Sequence, residues 1–104
     1  MSRTRRDVEG GTSVIERVNT RVPRNYHVIL LNDDYTTMEF VVSVLERVFK
    51  KTPAESMQLM LRIHRMGSAV AGVYTREVAE AKVEQVHSMA QSAGYPLRCT
   101  MEES

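Results

Sequence analysis

The stretch from Tyr26 to Met38, Tyr-His-Val-Ile-Leu-Leu-Asn-Asp-Asp-Tyr-Thr-Thr-Met, limits what this chain can fold into more than any other part of it. An apolar run ends abruptly at Asn32, Asp33 and Asp34, and a helical apolar period begins at Met38. Tyr, Val, Ile and Leu suit a buried strand, whereas Asn and Asp leave sheets readily because their side chains bond nearby backbone groups. A strand therefore passes into a helix through a polar corner holding two carboxylates and one carboxamide. Taken alone, such a corner reads as a solvated turn and a helix N-cap.

The rest of the chain supplies the partners that this strand and helix need. Met38, Val41, Val42, Leu45, Val48 and Phe49 recur at three and four residues and form one apolar helix face, with Thr36 or Thr37 as its cap. Thr52, Pro53 and Glu55 announce a second helix: a capping hydroxyl, a proline at the first position and an acid at the third, with Gly67 closing it. From Ser68 to Thr75 the pattern alternates, Val70, Gly72 and Tyr74 against Ala69, Ala71 and Val73, which is a strand. Val78, Ala79, Lys82, Val83 and Val86 place a third helix over residues 76–93, stopped by Gly94. After Pro96, Leu97, Cys99 and Met101 alternate with Arg98, Thr100 and Glu102 as a half-buried edge strand. The order β-α-α-β-α-β predicts a small α+β sandwich, with three helices on one face of a three-stranded antiparallel sheet.

Residues 1–25 show no sustained period and are interrupted by Gly10, Gly11 and Pro23, so they are expected to be a flexible N-terminal extension before a core over residues 26–104. At 104 residues, 42% hydrophobic and 26% charged, the chain is sized for one small domain. Lys and Arg number 14 against 13 Asp and Glu, and a net charge of +1 offers no broad basic surface for nucleic acid. The single cysteine, Cys99, excludes an intrachain disulfide, and no apolar segment is long enough to span a bilayer. A cytoplasmic monomer with no nucleic-acid or membrane partner is the expectation.

Three kinds of chemistry could use the corner. A metal site would recruit His27, His64 and His87 with Asp33 and Asp34, but the histidines lack HxxxH or HxH spacing and no cysteine pair assists them. A hydrolase would set Asp33 or Asp34 against His64, yet there is no activated Ser or Cys and no glycine-rich phosphate cradle. A binding pocket asks least of these residues: Asn32 and Asp33 offer acceptors, His64 a donor or acceptor, and Met38, Val41, Met60, Ile63 and Leu97 an apolar wall.

Four segments carry a resemblance to a known family. They are Val28-Ile-Leu-Leu-Asn-Asp-Asp-Tyr-Thr-Thr-Met-Glu-Phe-Val, Leu59-Met-Leu-Arg-Ile-His-Arg-Met-Gly, Val78-Ala-Glu-Ala-Lys-Val and Tyr95-Pro-Leu-Arg-Cys-Thr-Met-Glu. In order and spacing they resemble ClpS, the adaptor family that delivers N-degron substrates to the Clp protease, from about Tyr26 to the C-terminus. Thr37 departs from the family pattern, where many relatives carry proline. The resemblance implies a non-enzymatic adaptor without cofactor or metal, which binds proteins bearing a free N-terminal Leu, Phe, Tyr or Trp and passes them to a ClpA-type AAA+ unfoldase. It puts Asn32, Asp33 and His64 at the α-amino group and first peptide unit, with Asp34 and Thr36 nearby. Met38, Val41, Met60, Ile63 and Leu97 fall around the substrate side chain, with Met38 as a gate against β-branched residues. Glu77 and Lys82 become unfoldase contacts, and the N-terminal extension becomes the segment that engages the unfoldase. Burying one Leu or Phe side chain contributes about 1.5–3 kcal/mol and each hydrogen bond to a charged group about 1.5–3 kcal/mol, so after association costs an affinity in the micromolar range, about −8 kcal/mol, is reasonable. The alternative from a different class is a plain interaction domain with a fold like the C-terminal domain of the ribosomal stalk protein, binding a translation partner.

Overall fold

A computed structural model describes residues 24–104. The element order is β1 (Asn25–Leu31), α1 (Met38–Arg47), α2 (Pro53–Met66), β2 (Ser68–Thr75), α3 (Arg76–Ala93) and β3 (Arg98–Glu103). The sheet is antiparallel with β1 in the centre, in the order β2-β1-β3. All of the expected extension except Arg24 and Asn25 lies outside the described residues. Asn25 already pairs with Thr75, so the ordered strand begins one residue before the expected start.

The expected helix signals hold at the level of atoms. Thr37, not Thr36, caps α1, its hydroxyl oxygen accepting from the Phe40 N–H at 3.1 Å. Thr52 and Glu55 form a reciprocal capping box around Pro53, and Gly67, at φ 91°, ends α2 in the left-handed conformation. The end of α1 had no glycine to announce it. Lys50 takes the left-handed position there, at φ 57°, while the Lys51 N–H reaches back to the Leu45 carbonyl at 3.1 Å.

One sheet face is dry and the other is open. Val28, Leu30, Ala69, Ala71 and Cys99 are buried against the helices, whereas Val70 is exposed and Ile29 and Leu31 are only half-buried. β1 is therefore buried on one face, the one the helices cover. α3 lies across all three strands, α2 packs on β2, and α1 packs on α2. Val44 and Ala90, absent from the expected helix faces, are fully or nearly fully buried, while Val78 and Met38 are 44% and 47% exposed. Each helix thus presents a slightly rotated face to the core, because neighbouring elements and not its own period decide where the stripe points.

β2 departs from the strict alternation expected of it. The register passes from Val28↔Gly72 to Ile29↔Val70, which leaves Ala71 as an extra residue in a β-bulge. Ala69 and Ala71 face the core, but beyond the bulge Tyr74 turns inward and Val73 is exposed. Gly72 makes room for that inward tyrosine: a Cβ there would lie 2.6 Å from two Tyr74 ring carbons. The ring packs 6.4 Å from that of Phe49 and under the Lys82 ammonium, 5.6 Å from its centroid. Lys82 also donates to the Val48 carbonyl at 2.7 Å, placing a cation on the electronegative end of α1.

We expect Gly72→Ala to destabilise the fold by about 1–3 kcal/mol, as overpacking does. In a Tyr74→Ala background the same substitution should cost far less. Urea unfolding of the two single variants and the double variant measures the coupling, and additive costs would mean that the close approach does not matter.

Candidate functional site

The corner between β1 and α1 is held by one carboxylate. Asp33 Oδ1 accepts from the backbone N–H groups of Tyr35 and Thr36 at 2.9 and 2.8 Å, and its Oδ2 accepts from the Thr36 hydroxyl at 2.7 Å. Burial pushes the Asp33 carboxyl up. The hydrogen bonds from Thr36 and Tyr35, with the nearby charge of Arg98, outweigh that and hold it below its ordinary value. A second tie joins the corner to α2, where the Asn32 N–H donates to the Gly67 carbonyl at 2.9 Å. The loop is therefore stapled at its start to the end of α2 and through its middle to Asp33.

This corner overhangs a cavity of about 530 Å³. Asn32, Asp33, Asp34, Thr36 and His64 line its polar side and Met38, Val41, Met60 and Ile63 its apolar side, so nine of the ten expected pocket residues converge. Val41, Met60 and Ile63 are core residues as well, at most 7% exposed, which makes the floor rigid. Leu97 is the exception: it is buried at 3% and is not among the lining residues. It lies in the hydrophobic cluster with that floor, so its packing is that of core.

Tyr35, Thr37 and Glu39 line the cavity too, and the sequence did not single them out for it. Their only signal is position, between the acidic corner and the first helical turn. With Glu39, three carboxylates border the cavity and no Lys or Arg does. The Asn32 carboxamide, the Asp34 carboxylate and the His64 imidazole form no hydrogen bond to another described residue, whereas Asp33 is committed to its own turn. The arrangement can accept hydrogen bonds from a cation at its rim and shelter an apolar group on its floor.

Other sites have less to offer chemically. Among the described residues, no three of His, Cys, Asp and Glu gather where they could hold a metal ion. Burial pushes the Cys99 thiol up to about 12, so it is not a nucleophile near neutral pH. Glu77 is exposed in the first turn of α3, on another part of the molecule, while Lys82 is half-buried and engaged with Val48 and Tyr74. No helix among the described residues is long and apolar enough to cross a membrane.

Asp33 generates a pH prediction. A carboxyl whose folded value is depressed contributes stability above its unfolded value, about 3.9, and loses that contribution as pH falls through the lower folded value. Exchange protection of the Tyr35 and Thr36 amides should therefore hold at pH 5 and vanish in this acid range. Asp33→Ala should abolish that protection at every pH and cost about 1 kcal/mol or more. Protection that persists in the variant would show that the carboxylate does not hold the loop.

A family model described as ATP-dependent Clp protease adaptor protein ClpS matches residues 21–100. The ClpS adapter protein of Desulfatibacillum aliphaticivorans is 61% identical over 83 residues, covering 80% of each chain. That of Lawsonia intracellularis is 52% identical over 95 residues, covering 91% of this chain and 87% of its own. Among solved structures, Agrobacterium tumefaciens ClpS2 bound to L-phenylalaninamide superposes with a TM-score of 0.77 at 42% identity, over 80% of this chain and all of that one. Matched across the strand, the corner and all three helices, this chain belongs to the ClpS family of ATP-dependent Clp protease adaptor proteins.

Proposed function

We propose that the cavity binds polypeptides by a free, bulky hydrophobic N-terminal residue, Leu, Phe, Tyr or Trp, and that the protein delivers them to a ClpA-type unfoldase. One observation carries the binding half: an apolar floor of Val41, Met60 and Ile63 lies beneath a rim with three carboxylates and no basic side chain. An N-terminal residue has matching halves, an ammonium with three donors beside a side chain that leaves water. The ligand of the Agrobacterium relative has the same two halves, a free α-amino group and a benzyl side chain, which supports the reading.

The roles follow from what each group has free. Asn32, Asp34 and His64 are unengaged among the described residues and serve the α-amino group and first peptide unit. Asp33 acts mainly by holding Thr36 and the loop in place and adds its charge to the rim. Met38, 47% exposed in the first turn of α1, stands at the mouth and collides with side chains branched at Cβ, while Leu and the aromatic residues branch further out and pass. Leu97 supports the floor from behind. Delivery uses the Glu77 and Lys82 surface of α3 and residues 1–25. Of this pair, Glu77 is the exposed contact, and Lys82 also fastens α3 to the end of α1.

A peptide with a free N-terminal Phe should bind in the micromolar range, and its N-acetylated form should lose at least tenfold, one hydrogen bond to a charged group being worth about that much. Affinity should also fall as pH rises above about 7.7–8.0, where the α-amino group loses its proton. Titration by calorimetry or fluorescence anisotropy decides it; equal binding of the acetylated peptide defeats the proposal.

For delivery, Glu77→Arg and deletion of residues 1–21 should each leave peptide affinity within about twofold. Both should slow degradation of a Leu-initiated reporter by reconstituted unfoldase and protease. Normal degradation with both changes present would remove these regions from the mechanism.

A further inference from the structure

Met38 reaches the cavity from the first turn of α1, and a helix's first turn is its least secured part, because the first four N–H groups have no partner within the helix. Beyond its own Thr37 cap, this turn is held from the far side of the chain. Tyr95 packs its ring on Phe40, with centroids 4.8 Å apart and planes at 45°, and its phenolic oxygen accepts from the Thr37 hydroxyl at 3.4 Å. Phe40 and Thr37 are the third residue and the cap of α1. The Thr37 hydroxyl is used twice, as a long donor to Tyr95 and as the acceptor of the Phe40 N–H.

Tyr95 is itself anchored. Gly94, at φ 80°, ends α3 in the left-handed conformation, and the Tyr95 N–H returns to the Ala90 carbonyl at 2.9 Å. Pro96 follows with its fixed φ, and four residues after Tyr95 the Cys99 N–H donates to His87 Nε2 at 3.2 Å. The segment from Gly94 to Cys99 is thus tied to α3 at both ends. From that base Tyr95 holds Thr37 and Phe40 of a helical turn whose Thr37, Met38 and Glu39 form one wall of the cavity.

We propose that Tyr95 is a positioning residue for N-terminal selectivity: it holds the first turn of α1 so that Met38 stays across the mouth of the cavity. The proposal rests on the reading that the cavity takes an N-terminal residue. Tyr95 touches no part of the substrate in this role. Without the brace, the turn yields and Met38 moves aside for side chains branched at Cβ.

Full-length Tyr95→Phe, Tyr95→Ala, Met38→Ala and the Tyr95→Ala/Met38→Ala double variant test this, using labelled peptides that begin with Leu, Phe, Val or Ile, alongside thermal melting. Tyr95→Ala should lower the preference for Leu over Val by about tenfold, the scale of a lost aromatic pair. Tyr95→Phe keeps the ring and loses only its link to Thr37, so a two- to threefold loss at nearly unchanged Tm is expected. Met38→Ala should abolish the preference, and the double variant should be no less selective than Met38→Ala, since one residue acts through the other. Unchanged selectivity in both Tyr95 variants, beside its loss in Met38→Ala, overturns the positioning role and leaves the cavity reading intact. Equal weakening of all four peptides with a lowered Tm also overturns it, showing a structural residue only. Wild-type protein that binds acetylated and free peptides alike would remove the cavity reading, and the positioning role with it.

Discussion

Everything at the functional end of this molecule depends on a chain reversal that a single carboxylate makes possible. A central strand cannot run straight into a helix that packs on α2; the backbone must turn out of the sheet plane, and the amide groups it frees need acceptors. Asp33 provides them, collecting two N–H groups and one hydroxyl within three residues. The corner is consequently rigid without being buried, and the neighbouring Asn32, Asp34 and Tyr35 remain exposed above the cavity. A binding loop usually trades order against access. Here one charged group satisfies the turn, and its neighbours are left for a ligand.

The cavity floor shows the converse economy. Among the described residues, Val41, Met60 and Ile63 belong to the hydrophobic core cluster, so the cavity floor is the top layer of the core. Dense packing makes such a floor hard to deform. The first turn of α1, with Met38 upon it, is the exposed part of the cavity wall, and Tyr95 contacts that turn through Phe40 and Thr37. At the other end of α1, Lys82 and Tyr74 secure the C-terminus against α3 and the bulged strand. The helix that builds one side of the cavity is thus fixed at both ends by residues more than thirty positions away.

Much of this was legible beforehand because the signals are local. Thr52, Pro53 and Glu55 satisfy the same orphan amides in any surroundings, and Gly67 and Gly94 fit left-handed backbone wherever it occurs. Asn32, Asp33 and Asp34 end a strand in any context. The misplacements have equally specific causes. Lys50 takes a position where glycine would have announced the end of α1, and Ala71 bulges without leaving a mark on a run of small and apolar residues. Leu97, expected in the cavity wall, is buried at 3% and is not among the residues lining the cavity.

The sequence by itself determined the order of elements, most of their caps and breaks, the acidic corner and, through four segments with matching spacing, the family. These are properties of neighbours along the chain, and short-range sterics and hydrogen bonding set them. Only the tertiary structure decided which face each helix turned inward and that Asp33 serves its own loop. It alone joined Thr37 to Tyr95 and Val48 to Lys82 across the fold. Such pairings depend on the distance between residues far apart in the chain, and packing, not periodicity, sets that distance.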